Sequence, residues 1–247
     1  MKQLILSMLL LLTGINCYSQ KANVEAYNSK MQGQNLHFME NMGQVVDTKG
    51  TLQTDVLFTA KSNGAQLWLT ATGIHYQFAK TDYPAGYNPH DKNADPVKQL
   101  ELQKQAKQST HRFTLQLVGS NPHPKVVKQK QSKYFENYYL GHCPQGITGV
   151  KAFEQITYKN VYPDIDWVVY SKGGYMEYDF IVHPGGNPDQ IKLKINDADK
   201  VTLTDKGELV VKTRIGEVHE KTPVSYNEAG KALSLIHISE PTRRTPI

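Results

Sequence analysis

The stretch DIDWVVYSKGGYMEYD, residues 164–179, alternates apolar residues with polar or acidic ones on both sides of a glycine pair. Such alternation is typical of strands with one buried face, and a glycine pair between two such runs indicates a hairpin turn. A four-residue loop at 171–174 would put Asp166 directly opposite Asp179. We therefore predict an antiparallel hairpin over residues 165–182.

The two faces of the predicted hairpin differ in chemistry. One face is apolar and is predicted to be structural core, with the large residues Trp167, Tyr178 and Phe180. The other face is acidic and aromatic, and we take it as the candidate ligand or calcium face: Asp166, Glu177, Asp179, Tyr170 and Tyr175. Like charges directly opposite each other on neighbouring strands are unfavourable, so the predicted pair of aspartates requires compensation.

Three kinds of compensation remain open from the sequence, and an error in the predicted register is the remaining alternative. In the first, nearby Lys or Arg side chains pair with the carboxylates; we favour it because acidic residues are common on exposed strands. In the second, a Ca²⁺ ion binds Asp166 and Asp179, since calcium prefers oxygen ligands, although no loop has EF-hand spacing. In the third, two carboxyl groups share a proton or flank a glycosidic bond, as in hydrolases.

Short alternating runs continue along most of the chain and indicate an all-β fold. Examples are LWLTATGIHYQF at 67–78 and HRFTLQLV at 111–118, and turn residues separate successive runs. We predict an antiparallel β-sandwich or stacked-sheet domain over residues 36–232. Residues 81–108 interrupt the pattern with a Pro- and Asn-rich loop and a Lys- and Gln-rich run, which predict an inserted loop and one short helix.

Both ends of the chain differ from this domain. Residues 1–19 combine Lys2 with a short apolar run and small residues, which predicts a cleaved signal peptide; a lipid anchor on Cys17 is the alternative. Residues 20–35 are predicted to be a flexible mature N-terminus. Residues 233–247 begin LSLIHISEPTR, which back-translates to a sequencing adapter. We therefore interpret them as a non-native tail and expect the domain to be truncated at its C-terminal end.

Several functional classes find no support in the sequence. No GxSxG, HExxH or phosphate-binding glycine loop is present, and the histidines lack the spacing of a zinc pair. Without the two terminal segments, 25 basic and 22 acidic residues leave a net charge of +3, too small for a nucleic-acid footprint. The apolar run at 4–12 is shorter than the roughly 20 residues that cross a bilayer. Cys143 is the only cysteine after Cys17, so no internal disulfide is predicted.

A set of segments distributed over residues 36–232 is similar to a known family. They are FMENMGQ (38–44), DVLFTA (55–60), LWLTATGIHYQF (67–78), NYYLG (137–141), YKNVYPDID (158–166), MEYDFIVHPGGNPDQIKL (176–193) and GELVVKT (207–213). Together they resemble the amino-terminal β-rich domain of large secreted proteins, known mainly from Bacteroidetes, in which β-propeller repeats of the SBBP type follow the domain. The resemblance implies a secreted or cell-surface protein whose partners are downstream repeats of the same full-length chain. It brings no catalytic motif.

We therefore expect a non-enzymatic, secreted or cell-surface domain that serves adhesion, extracellular interaction or scaffolding. We expect no cofactor apart from the Ca²⁺ alternative, no nucleic acid, no membrane span, and an extracellular glycan or protein as the external partner. The alternative function is a carbohydrate-binding or glycoside-hydrolysing module that uses Asp166, Glu177 and Asp179.

Overall fold

The computed structural model describes residues 36–62, 64–226 and 232–233. It confirms an all-β fold with one short helix. The predicted signal peptide, the predicted flexible N-terminus and most of the predicted non-native tail lie outside the described residues. No helix among the described residues is long and apolar enough to cross a membrane.

The strands follow one another along the chain with few other elements. They are β1 Phe38–Glu40, β2 Val56–Ser62, β3 Ala65–Thr70, β4 Gly73–Asp82, β5 Lys107–Leu117, β6 Lys125–Leu140, β7 Cys143–Tyr162, β8 Ile165–Lys172, β9 Tyr175–Val182, β10 Leu193–Asn196, β11 Lys200–Leu203, β12 Leu209–Lys212, β13 Glu217–Glu220, β14 Ser225–Tyr226 and β15 Ala232–Leu233. Helix α1 spans Pro96–Lys104, and a 3₁₀ turn spans Pro188–Gln190.

The large sheet is antiparallel and curled, with the strand order β10-β5-β4-β3-β2-β1-β7-β8-β9. Strand β6 pairs with β7 off this path. Gln155 of β7 pairs with β8 and with β6, and Phe153 pairs with β1 and with β6. Because a strand residue has one neighbour on each side, β6 lies along one edge of β7, and β1 and β8 share the other. The backbone N–H of Leu36 donates to Ser171 Oγ at 2.8 Å, near the junction of these two strands.

One hydrophobic core joins both parts of the large sheet. It contains buried residues from β1 to β5, β7 and β8, together with Val211 of β12, so the small sheet β11-β12-β13 packs against the large one. Trp167 is completely buried, and its ring centroid lies 4.9 Å from that of Tyr158. Tyr178 and Phe180 are partly buried and pack against the same cluster. The apolar face of the hairpin thus contributes to the centre of the fold.

The insertion is shorter than the sequence pattern indicates. Strand β4 continues to Asp82 and β5 begins at Lys107, and these two residues pair directly. The backbone hydrogen bonds between paired strands do not depend on apolar side chains. The two strands can therefore extend beyond the segments in which apolar and polar residues alternate. Between them, the Asp95 side chain accepts from the Val97 N–H at 2.9 Å and caps α1, which buries none of its residues.

Candidate functional site

The turn of the β8–β9 hairpin sets the register of the candidate acidic face. Lys172 pairs with Tyr175, so the loop consists of Gly173 and Gly174 alone, with φ values of 59° and 83°. Two-residue hairpin turns of this kind require positive φ at both positions, which glycine adopts without strain. The four-residue loop predicted from the sequence is therefore wrong, and the register differs from the prediction by two residues.

This register changes the partners of the two aspartates. Asp166 pairs with Ile181, and Asp179 pairs with Val168. The predicted opposition of Asp166 and Asp179 is therefore wrong. A shift of two residues leaves each side chain on its original face because side chains alternate with period two. The division into an apolar and an acidic face thus survives the correction.

Asp166 lies in the interior and forms the centre of a charged cluster. Its side-chain Oδ2 lies 2.6 Å from Lys159 Nζ and 2.8 Å from His183 Nε2, and its Oδ1 accepts from the backbone N–H of Asn160 at 2.9 Å. The residue is only 1% exposed. We call Asp166, Lys159, His183 and the Asn160 amide the Asp166 cluster.

The partners in the Asp166 cluster determine the charge of the carboxyl group. Burial by itself raises the pKa of Asp166, but hydrogen bonds from Lys159, His183 and the Asn160 amide outweigh it and lower the pKa below its ordinary value. Hydrogen bonds to the ionised form favour that form. The group is thus held as a carboxylate, and its compensation comes from the Lys159 ammonium group and two further hydrogen-bond donors of the protein.

The Asp166 cluster holds three chain segments together at one end of the hairpin. Asn160 and Asp164 adopt positive φ values of 51° and 56°, which bend the chain between β7 and β8. The His183 N–H donates to the Asp164 carbonyl at 2.8 Å, which fixes the segment after β9 against this bend. Asp166 therefore connects the end of β7, the start of β8 and the segment that follows β9.

The remaining polar residues of the predicted face lie nearer the hairpin turn. The hydroxyl of Tyr170 and the ammonium of Lys172 each lie 3.2 Å from Glu177 Oε2. Burial, and then the charges of Asp179 and Glu177, raise the pKa of the Tyr170 hydroxyl. Tyr175 is exposed at the turn. The structure thus brings Tyr170, Glu177 and Asp179 together, while Asp166 engages the separate cluster described above.

The predicted calcium ligand Asp166 already has other partners in the structure. Both oxygens of Asp166 already accept hydrogen bonds or ion pairs from protein groups. Among the residues that the structure describes, no three or more His, Cys, Asp or Glu side chains form a group that could hold a metal ion.

A second cluster, on the β6–β7 hairpin, was not predicted from the sequence. We call residues 133–149 the arm. On its inner face the hydroxyl of Tyr134 donates to Glu136 Oε1 at 2.7 Å, and the hydroxyl of Tyr138 donates to Glu136 Oε2. The ring of Tyr134 also stacks on His37, with centroids 5.4 Å apart. The two tyrosines thereby hold the Glu136 carboxylate in one position.

The outer face of the arm presents aromatic rings to solvent. Phe135 is 57% exposed and Tyr139 is 70% exposed. The Tyr139 ring lies against Gly146: a Cβ built on this glycine would be 2.6 Å from a ring carbon. The alternating aromatic pattern of YFENYYL indicates that some of these rings are exposed, but the sequence does not show the contact with Gly146.

The loop after β1 adjoins the arm. Asn41 Nδ2 donates to the carbonyls of Gln53 and Val56, at 2.9 Å and 2.8 Å, while its Oδ1 accepts from the Gly43 N–H at 3.0 Å. The Nε2 of His142, in the arm, lies 3.0 Å from the Gly43 carbonyl oxygen. The second half of the segment FMENMGQ therefore forms a fixed loop that supports the arm.

A cleft of about 370 Å³ lies between this loop, β2 and β6. Its walls are largely apolar, and Glu40 and Lys128 line it as an ion pair at 2.7 Å. Because these two charges satisfy each other, the cleft offers a ligand no unpaired charge from them.

Comparison with known proteins places the chain in a family. Residues 38–237 match a family described as a domain of unknown function, DUF7948. This match includes every strand described above and continues past residue 232, the predicted C-terminal bound of the domain. No curated protein and no solved structure gives a match to the chain. Because the family match spans most of its length, the chain belongs to the DUF7948 domain family.

Proposed function

We propose that this domain is a non-enzymatic interaction or scaffolding domain of an exported protein. The observation that carries the proposal is the Asp166 cluster: the most buried acid of the candidate site is bound to Lys159, His183 and a backbone amide. Its partners connect three segments of the fold. The carboxylate therefore has a structural use that explains its presence.

The same geometry weighs against glycoside hydrolysis by this face. Such hydrolysis uses two carboxyl groups that flank the scissile bond, one of which has a raised pKa and donates a proton. Asp166 is buried and its pKa is lowered, which is the opposite of what a general acid needs. Glu177 already accepts from Tyr170 and Lys172. A carbohydrate role for the hairpin would rest on Asp179 and the exposed Tyr175 alone.

Export and adhesion are the finer part of the proposal. The composition of residues 1–19 supports a cleaved signal peptide. The resemblance to secreted proteins with SBBP repeats supports a place at the cell surface, ahead of downstream β-propeller repeats. In such a chain, a domain without a reaction of its own would present or support the repeats and contact extracellular partners.

Hydrolysis assays test the non-enzymatic part of the proposal. The purified chain is incubated with a panel of polysaccharides, and new reducing ends are measured against a heat-denatured control. We expect no release above the control. Release that is lost in Glu177→Gln or Asp179→Asn, both partly exposed positions, would refute the proposal.

The export part has its own measurement. N-terminal sequencing of the protein recovered from the medium or cell surface of its native host is expected to begin at Gln20. A protein that remains inside the cell with residues 1–19 attached would refute export.

A further inference from the structure

We propose that the outer face of the arm is a binding platform for anionic polysaccharides, with Phe135 and Tyr139 as stacking rings and Lys151 as the cation that pairs with the acidic groups of the glycan. This inference rests on the proposed function, since it names the class of partner that an extracellular interaction domain would bind. It places the binding surface away from the β8–β9 hairpin.

The first argument is the presentation of Tyr139. Its ring is 70% exposed, yet it lies against Gly146 across the hairpin. Any larger residue at 146 would displace the ring, because even a Cβ would lie 2.6 Å from its Cε1 and 2.9 Å from its Cδ1. One side of the ring thus lies against backbone, while most of the residue is exposed to solvent. A ring confined in this way loses little rotational freedom when a ligand stacks on it.

The second argument is the charge beside Phe135. Lys151 of β7 pairs directly with Phe135, so the two side chains lie on the same face. Among the residues that the structure describes, no carboxylate lies within 4.0 Å of the ammonium groups of Lys151 or Lys133. Free lysines beside an exposed ring attract an anion that also has an apolar surface.

The third argument is the placement of the nearby acid. Glu136 pairs with the fully buried Val150, which puts it on the inner face, where Tyr134 and Tyr138 bind both of its oxygens. The outer face is thereby free of this negative charge. The strand before the arm adds the positive charges of Lys125 and Lys130, while Lys128 pairs with Glu40, and no acidic residue lies at positions 125–132.

These features fit a polysaccharide chain that carries carboxylates. Sugar rings have apolar faces of polarised C–H groups, and these stack on the electron-rich face of an aromatic ring. Uronate carboxylates pair with lysine ammonium groups. The rings lie on one open strand surface, which suits an extended polymer. Asn137 lies between the two rings in sequence, and its Oδ1 accepts a hydrogen bond from the Gly149 N–H at 2.7 Å.

The test measures binding of the whole chain to polygalacturonate and to its methyl ester, in which a neutral ester replaces each carboxylate. We expect the chain to bind polygalacturonate, with an affinity that falls as salt is added, and to bind the ester more weakly. Phe135→Ala and Tyr139→Ala are each expected to weaken binding about tenfold, the loss of one stacking contact. Lys151→Gln is expected to weaken binding and to reduce its salt dependence.

Two further variants separate the platform from general surface effects. Tyr83→Ala removes an aromatic residue of similar exposure, 47%, in the insertion, and Lys98→Gln removes an exposed lysine of α1. Both are expected to bind polygalacturonate as the wild type does. Gly146→Ala keeps Tyr139 but displaces its ring, so binding should fall although the aromatic residue remains. Thermal melting verifies that each variant folds. If a variant within the arm does not fold, Lys151→Gln still tests the proposal.

The inference is overturned if the wild type does not bind polygalacturonate, if it binds the ester equally well, or if the arm variants bind as the wild type does. Binding lost equally in Tyr83→Ala or Lys98→Gln would also overturn it. New reducing ends released from polygalacturonate would instead overturn the proposed non-enzymatic function, while arm-dependent binding would still support the platform. The two claims therefore fail on different readouts.

Discussion

Asp166 and Lys159 form a salt bridge of 2.6 Å in which the carboxylate is almost fully buried and the ammonium group is partly exposed. A buried charge is costly unless it is paired and hydrogen-bonded, and Asp166 satisfies both conditions through Lys159, His183 and the Asn160 amide. The acidic residue that the sequence singles out for function thus serves the fold. Its neighbours Glu177 and Asp179 lie further along the hairpin, toward the turn.

Acid unfolding tests the charge state of Asp166. Because its pKa is lowered in the folded state, the carboxylate stabilises the fold at pH values above the unfolded-state pKa of about 3.9. That stabilisation is lost as pH falls through the folded-state pKa. We expect the unfolding free energies of the wild type and Asp166→Asn to converge as the pH is lowered from about 5 to about 2. Urea unfolding at each pH measures these free energies. A difference between the two variants that stays constant with pH would contradict the prediction.

Glu220 is expected to have the opposite pH dependence. Tyr178 donates to its Oε2 at 2.9 Å, and burial raises the pKa of the Glu220 carboxyl group. A raised pKa stabilises the fold below the unfolded-state pKa, and this contribution disappears as pH rises through the folded-state value. Glu220→Gln stays neutral and still accepts from Tyr178. We therefore expect it to raise the melting temperature by a few degrees at pH 7 and to have little effect at pH 4; no difference between the two pH values would refute the assignment.

Gly73 tests the packing of the large sheet. A Cβ at this position would lie 2.2 Å from the carbonyl oxygen of Leu115, which belongs to the neighbouring strand β5. Gly73→Ala must move backbone, so we expect it to lower the free energy of unfolding by about 2–4 kcal/mol. Gly141→Ala is the matched control, because nothing lies within 4 Å of its Cβ. Chemical denaturation measures the stability of both variants. Equal stabilities would contradict the register of β4 against β5.

Calcium dependence follows from the same account of the hairpin. Both oxygens of Asp166 are occupied by protein donors, so we expect the domain to need no calcium for its stability. Melting temperatures in excess calcium and in excess chelator should agree. A higher melting temperature in calcium that disappears in Asp179→Asn would restore the predicted calcium site.

The all-β class and the faces of the hairpin could be predicted because they depend on a local pattern. Side chains alternate with period two, so Trp167 is assigned to the core whichever hairpin loop is chosen. The register depends on the loop itself. SKGGY is compatible with two-residue and four-residue loops, and the pairing of Lys172 with Tyr175 in the structure decides between them.

The environment of Asp166 could not be predicted for a different reason. Lys159 and His183 are 7 and 17 residues away in sequence, and they meet the carboxylate only because the chain bends at Asn160 and Asp164. Asn and Asp are the residue types that most often adopt positive φ after glycine, but they are common in other conformations too, so their presence alone does not locate the bend. The arm is similar, since the support of Tyr139 by Gly146 depends on the irregular register of β6 and β7.

The free energy of unfolding of Asp166→Asn at pH 7 tests the central claim, that this carboxylate serves the fold, most directly. The substitution removes the charge-assisted contacts to Lys159 and His183, so we expect a loss of about 1–3 kcal/mol relative to the wild type. Glu177→Gln, on the same face of the hairpin and more exposed, is expected to change it by less than about 0.5 kcal/mol. An Asp166→Asn variant as stable as the wild type would contradict the claim and return this carboxylate to the candidates for chemistry.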